Sequence, residues 1–403
     1  MLYALVYAAY GIASPFMPAL FAERGMSAEA IGLILAGGTM ARLLAAPLAA
    51  FLADRLGAPR WLLAGALLGS ALVGCGYGLA SGFLGLLLVS VLVSIALAPV
   101  NPLADMLTAG AAPQGVRYGL VRGAGSAIFV GSAMLAGPLV ASAGLPAIIW
   151  VNAGLLALGA CAVLALPHPG NRPARRPRPW TSTGSETSPK VASGAGPGAL
   201  RALLSLKPFR RLLLVTGLVQ GSHALYDAFA TLQWQAAGIA PVAIGVLWSI
   251  AVASEVLVFL VVGPRLLDRV GPGGLAVLAA AAGVLRWAAM ANTDALPIQF
   301  LLQPLHGLTF AALHLATMRL LADTVPPRLA ASAFGVQASL GPGLAGAVLM
   351  LAAGPLYGSF GAGGFWAMAA LCACALPAAM TLAERGAPAK APLVTLLPAA
   401  PVP

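Results

Sequence analysis

Arg42 and Glu255 are the residues of this sequence whose types and placement most invite chemistry. Each sits within a long apolar run, and the internal offset of 213 residues that carries Gly25 onto Gly238 also carries Arg42 onto Glu255. A charged side chain at the centre of a bilayer costs on the order of 3 kcal/mol, so it persists where it pairs, lines a wet cavity or moves protons. A cation and a carboxylate at equivalent depths allow two roles. Either Arg42 clamps an anionic solute, or the two form an ion pair that breaks during a working cycle. A static pair, or a partner found within the same half, is the plainer alternative. A carboxylate held away from bulk water is a group that proton coupling can use, and Glu255 is a candidate carrier.

The remaining buried polar groups are few. His223 and Asp227 are four residues apart and share a helix face, where they could bind a solute or relay protons, or satisfy one another locally. Gln220 and Tyr226 on the same run are candidate hydrogen-bond partners for a solute. His306 lies mid-depth in a later run, with Gln303 about one turn before it and His314 on nearly the same face after it. At each histidine a packed, hydrogen-bonded ring is the alternative to a site. No carboxylate stands near His306 or His314 in sequence, so they do not read as a metal site, and no bound cofactor is indicated. Arg286, deep in its run beside Trp287, reads as stabilising a neighbouring helix or pairing with an acid. There is no phosphate loop, HExxH motif or nucleophile elbow, so the chain does not read as an enzyme. Without a nucleotide-binding domain, energy must come from an ion gradient or from the solute's own.

The elements that position these residues must live in lipid. Of 403 residues only 8% are charged and 60% are hydrophobic, whereas a soluble domain is about a quarter charged. So few charges cannot cover a water-soluble globule of this size. The net charge of +11 sits in short segments between apolar runs, which is the positive-inside pattern and not a nucleic-acid surface. Cys75, Cys161, Cys372 and Cys374 all fall inside apolar runs, as small packing residues do.

A spanning helix needs roughly 20 apolar residues, and that ruler predicts about twelve of them. They cover 3–22, 28–51, 61–80, 82–104, 117–141, 145–166, 211–234, 240–263, 272–291, 295–319, 331–354 and 361–382. Residues 1–166 and 211–385 therefore read as two six-helix bundles. Between them, 167–210 carries Arg172, Arg175, Arg176, Arg178, Lys190, Arg201, Lys207 and Arg210 against the acid Glu186, and its Pro, Gly and Ser content reads as a flexible linker. Residues 386–403 form a C-terminal tail. The basic linker predicts its side to be cytoplasmic, with both termini there, in a multi-pass protein of the cell (inner) membrane. The first run lacks a basic leader, so no cleavable signal is expected.

The two bundles repeat one another. Gly25, Ile31 and Gly32 match Gly238, Ile244 and Gly245. Asp54, Arg55, Leu56 and Gly57 match Asp268, Arg269, Val270 and Gly271. Tyr118 and Gly119, followed by Gly137, Pro138 and Leu139, echo Phe334 and Gly335, followed by Gly354, Pro355 and Leu356. Parallel halves are what a two-bundle transporter uses, with its solute near the midplane between them.

The loop from Asp54 to Arg60 resembles the signature loop of the major facilitator superfamily, although Ala50 stands where a glycine is usual. Within it the chain is similar to the 3-phenylpropionic acid transporter family, distantly lactose permease-like. The likeness is carried by Tyr118 to Arg122 with Gly125 and Ser126, by Gln220 to Ala224, and by Trp234 to Gly238. Leu247 to Ser249, Glu255 and Val256, Arg286 and Trp287, His306, and His314 to Arg319 extend it over nearly the whole chain. Asp227 departs from it, since an uncharged, often aromatic residue is expected there.

The resemblance implies an all-α membrane fold and proton-coupled symport of a small organic acid, an aromatic carboxylate such as phenylpropionate, by alternating access. On the reading of the residues themselves, the solute site would draw on Arg42, Gln220, His223, Tyr226, Gln303 and His306, and protons on Asp227 and Glu255. The seventh helix would line the cavity, and the ninth, with Arg286, would be peripheral. Asp54, Arg55, Asp268 and Arg269 would latch the bundles on the cytoplasmic face, with Asp105, Arg122 and Arg319 gating or pairing helices nearby. A small solute, protons and the lipid bilayer are the partners implied, and monomer is the superfamily's default. The rival readings are an exporter, a nucleoside or sugar symporter, and, from another class, a membrane sensor or assembly factor that moves nothing.

Overall fold

The computed structural model describes residues 1–56, 58–111, 118–165 and 197–385, and every regular element among them is helical. Eight apolar helical stretches are long enough to cross a membrane, and the bent pair Leu2–Ala13 and Met17–Glu23 makes a ninth. Two of the eight are of double length, Pro241–Asn292 with 52 residues and Ser332–Glu384 with 53. Each is about twice what a bilayer core requires. Each is also broken at a glycine of positive φ, Gly271 at 69° and Gly361 at 53°, a conformation that side chains with a Cβ rarely adopt. One more crossing, Lys207–Gly221 continued by His223–Ala236, is too polar to pass for an apolar stretch. Twelve crossings result among the described residues, and they are numbered as spans in chain order.

Spans one to six are Leu2–Ala13 with Met17–Glu23, Ala28–Leu56, Pro59–Leu79, Gly82–Leu97 with Val100–Ala111, Tyr118–Ala143, and Ala147–Leu164. Span seven is Lys207–Gly221 with His223–Ala236. Span eight starts with Pro241–Leu257 and span nine ends at Asn292. Span ten is Leu296–Leu302, Gly307–Ala312 and Leu313–Thr324, span eleven runs from Ala330–Ala338 to Leu344–Phe360, and span twelve is Phe365–Arg385.

Local sequence explains the breaks. Pro15 and Pro99 fall where spans one and four are interrupted, because proline cannot donate to the turn before it. Span seven, expected as one helix, is interrupted at Ser222 after Gly221, a Gly/Ser pair of the kind that kinks helices. Wide π turns occur at Val258–Val262, Gly307–Ala312 and Ser339–Gly343. The first precedes Pro264 and the third contains Pro342, so each accommodates a missing amide hydrogen bond.

The segment expected to be a flexible linker is helical at its end. Pro197–Ser205 forms a short helix with Leu203 fully buried, and span seven begins at Lys207, four residues before the expected start. Residues 167–196 and the tail 386–403 lie outside the described residues.

Large apolar side chains such as Leu72, Leu84 and Leu301 stay exposed around the outside, as a surface facing lipid chains does. The halves meet toward the end that carries the turns at Gly25, Gly144, Gly238 and Gly361. Span two lies against span eleven, and span five against span eight. Ser249 Oγ donates to the carbonyl of Val130 at 2.9 Å, and Thr231 Oγ1 to that of Pro15 at 2.5 Å. Leu43 reaches Gly343 nearer mid-depth.

Candidate functional site

A hydrogen-bonded cluster fills the middle of the second half. Arg286, fully buried on span nine, donates to His306 Nδ1 at 2.8 Å and to Gln303 Oε1 at 3.2 Å. Tyr226 of span seven donates its hydroxyl to the same Gln303 Oε1 at 2.8 Å. The Arg286 guanidinium lies over the rings of Tyr226 and Trp287, 4.4 and 4.5 Å from their centroids, which suits a weakly hydrated planar cation. The other ring nitrogen of His306, Nε2, lies 2.7 Å from Glu255 Oε1 on span eight.

Chemistry fixes the direction of this chain. A guanidinium only donates, so His306 Nδ1 must be the bare acceptor. Nε2 then carries the proton and donates it to Glu255. While Arg286 is in place His306 has no free lone pair, so it stays neutral and any proton taken up by the pair goes to Glu255.

The local fold is shaped to hold this arrangement. His306 sits immediately before the π turn Gly307–Ala312, and the Gly307 amide is shared between the Pro304 carbonyl of its own span at 3.2 Å and Ser254 Oγ of span eight at 3.0 Å. A Cβ at Gly307 would lie 2.6 Å from the Ser254 carbonyl oxygen, so glycine is what lets spans eight and ten close at the Glu255–His306 contact. Behind them His223 Nε2 meets Thr309 Oγ1 at 2.9 Å, its ring 5.0 Å from that of His306. The Trp287 indole donates to Ser222 Oγ, at the break in span seven, at 2.8 Å.

The first half is organised differently. It encloses about 500 Å³ between its spans, a volume suited to a small organic molecule. Apolar walls from Met17, Phe21, Val93, Phe129 and Ile148 alternate with Tyr10, Thr39, Tyr77, Ser90, Asn101 and Asn152. Arg42 is on this wall, exposed, and no hydrogen bond or ion pair joins it to a described residue.

The expected residues thus divide. Glu255, His306, Gln303, Tyr226 and His223 come together, but Tyr226 and Gln303 are fully buried with their oxygens engaged by one another and by Arg286. Arg42 and Glu255 do not form the inter-bundle pair that was one expectation, because Glu255 is bonded to His306 within its own half. His223 and Asp227 share a helix without bonding, since His223 turns to Thr309 and Asp227 is exposed. Gln220 is half-buried on the same span. His314 stands apart from the cluster, its ring 5.7 Å from that of Phe259.

Toward the linker end, Asp105 accepts a hydrogen bond from the Tyr3 hydroxyl within the first half, and Arg319 pairs with Asp323 on its own helix at 3.1 Å. Arg55, Asp268 and Arg269 are exposed. The side chains of Asp54 and Arg122 lie outside the described residues. Among the described residues no ion pair joins the two halves there.

Arg286 does stabilise a neighbouring span, as expected, by bonding to His306 and Gln303, but it does so from the centre of the cluster and not from the periphery. Sequence reasoning passed over Tyr10, Tyr77, Asn101 and Asn152, though two asparagines inside apolar runs were a legible signal.

Comparison with known proteins identifies the family and the fold. The model of the MFS_1 like family matches residues 1–368. The chain is 32% identical over 388 residues to a probable 3-phenylpropionic acid transporter of Escherichia coli (strain K12), covering 93% of this chain and 94% of that protein. It is 28% identical over 347 residues to a maltose permease of Geobacillus stearothermophilus, covering 85% and 83%. The crystal structure of the nucleoside transporter NupG aligns with TM-score 0.79 at 18% identity over 94% of this chain and 97% of that one. A bacterial homologue of the human lysosomal transporter Spinster, inward-facing and unoccupied, aligns with TM-score 0.67 at 16% identity over 95% of each.

Proposed function

The chain belongs to the MFS_1-like family of major facilitator transporters, and from that premise we propose that it is a proton-coupled symporter of a small aromatic carboxylate. One observation carries the reading: a cation and a carboxylate stand in separate halves, each in a different condition. Arg42 is exposed on a cavity wall without a partner among the described residues, where its guanidinium is accessible to an anionic group. Glu255 is held by neutral His306, as a carboxylate that gains and loses a proton would be.

In this mechanism the solute's carboxylate docks at Arg42 against Tyr10, Tyr77 and the apolar wall. A proton enters on Glu255, with Asp227 as a second carboxylate within reach of the cavity. Neutralising both charges lowers the cost of passing through an occluded state. The halves then rock about the midplane, and solute and proton leave on the other side. With the halves together at the glycine turns, this state is open toward the linker, the side proposed to be cytoplasmic along with both termini. The exposed Arg55, Asp268 and Arg269, with Asp54, Asp105, Arg122 and Arg319, would engage when that side closes. The protein would act as a monomer in the cell membrane. The 3-phenylpropionic acid relative supports the solute class, and the repeat relating Arg42 to Glu255 supports the coupling.

The test is uptake of labelled 3-phenylpropionate into proteoliposomes, with and without an inward proton gradient. Gradient-driven accumulation abolished by a protonophore supports the proposal. Uptake indifferent to both the gradient and the protonophore refutes coupling, and an absence of uptake by folded protein rejects this solute in favour of a nucleoside and sugar panel.

A further inference from the structure

Asp227 has no place in the chain of bonds just described. It sits on span seven between buried neighbours, Tyr226 and Ala228, yet is itself exposed. An ionised carboxylate offers about four acceptor positions. No hydrogen bond or ion pair from a described residue fills any of them, whereas Glu255 accepts from His306. A group that is deep in the protein and still exposed touches water inside a cavity.

Register places it next to the cavity of the first half. Spans one and seven run in the same direction, both toward the end with the glycine turns. They are fastened where Thr231 Oγ1 donates to the Pro15 carbonyl at 2.5 Å. Asp227 lies one turn before Thr231 on the same face, about 6 Å back along the helix. The stretch of span one beside it is one turn before Pro15, where Tyr10, Ala13 and Ser14 line the cavity that holds Arg42. The first half lines that cavity and presents the cation Arg42, while Asp227, outside the lining, stands across from it on span seven as an exposed carboxylate.

We infer that Asp227 is a specificity residue that accepts a hydrogen bond from a hydroxyl or amine at the end of the solute remote from its carboxylate. This rests on the proposal that an organic acid docks at Arg42. A solute with an acid at one end and a donor at the other spans the two side chains. An acid with a bare ring leaves Asp227 to water alone, and a site built to bond a solute donor discriminates against the analogue that lacks it.

The experiment compares 3-phenylpropionate with its ring-hydroxylated and ring-aminated analogues, by proteoliposome uptake and by equilibrium binding to purified protein. The wild type is expected to favour the donor-bearing acids by about tenfold or more in KM and in binding, as charged hydrogen bonds do. Asp227→Ala should bring that ratio close to one, and Asp227→Asn, which keeps an acceptor oxygen, should retain part of it. A wild type that does not discriminate, or an Asp227→Ala protein that keeps the full preference, overturns the inference. The binding arm separates the two readings. Asp227-dependent preference in binding without proton-driven uptake sinks the symport proposal and leaves the anchor. Proton-driven uptake of all three acids alike does the reverse.

Discussion

Gly32 and Gly354 touch backbone to backbone: a Cβ on Gly32 would lie 3.0 Å from the Cα of Gly354. The same contact occurs again where Gly245 meets Gly137, with a Cβ on Gly245 placed 3.1 Å from the Gly137 amide nitrogen. The sequence repeat relates Gly32 to Gly245 and Gly137 to Gly354, so one seam is built twice around the pseudo-twofold axis. No side chain can rotate out of the way in either. A leucine at Gly354 would meet the Ala28 carbonyl and the Glu29 Cα below 3 Å, and closure of this end could not complete. Gly354→Leu and Gly137→Leu are each expected to reduce uptake at least tenfold while solute binding persists. Paired spin labels on spans two and eleven should report a longer distance than in the wild type. An unchanged distance with full uptake would show that the seam tolerates separation.

The Glu255–His306 contact separates coupling from exchange. Glu255→Gln keeps the shape and an acceptor for the His306 Nε2 proton but cannot carry one. Accumulation driven by a proton gradient should fall to equilibration, while solute counterflow continues within about threefold of wild type. His306→Asn should impair both, because it leaves Arg286 without one of its acceptors. Should Glu255→Gln still accumulate solute against a gradient, the proton travels elsewhere.

Arg286 anchors the second half more than it contacts solute. It is fully buried, bonded to His306 and Gln303 and stacked on two rings, with its Nε lacking a partner among the described groups. Arg286→Ala would orphan His306 Nδ1 and remove the charge that Asp227 and Glu255 face, at a cost of about 3 kcal/mol. Arg286→Lys has no planar fork to span both acceptors and should recover only part of this. Thermal unfolding in detergent measures it, and a melting temperature within about a degree of wild type for Arg286→Ala would contradict the anchoring role.

What was readable in the sequence follows from what lipid penalises. Ionisable residues at depth are so costly that Arg42, Glu255, His306 and Asp227 stand out from composition alone, and the repeat supplies their relative depth. Rotation of each span about its own axis is not encoded so plainly. Arg286 was visible as a deep cation, but whether it faced lipid, a neighbouring span or the centre depends on packing among several spans at once. The break at Ser222 depends likewise on partners distant in sequence: the Ser222 hydroxyl accepts from Trp287 and lies 3.3 Å from Cys372 Sγ. Asp227 departs from the family pattern, and its register against Pro15, which the linear sequence does not show, is what suggests a contact with solute.

Arg42 tests the solute end of the mechanism most directly. It is exposed on the cavity wall, so replacing it should leave packing intact, unlike Arg286. A guanidinium can hold a carboxylate by two parallel bonds, and losing a charged hydrogen-bonding partner weakens binding by about 2–3 kcal/mol. Arg42→Ala should therefore raise KM for an aromatic acid by about thirtyfold or more, with the melting temperature close to wild type. Arg42→Lys keeps the charge without the fork and should fall between the two. The neutral amide of the same acid supplies the control, because it lacks the anion and should be affected much less. Equal loss for acid and amide would mean that Arg42 shapes the cavity and does not read the charge.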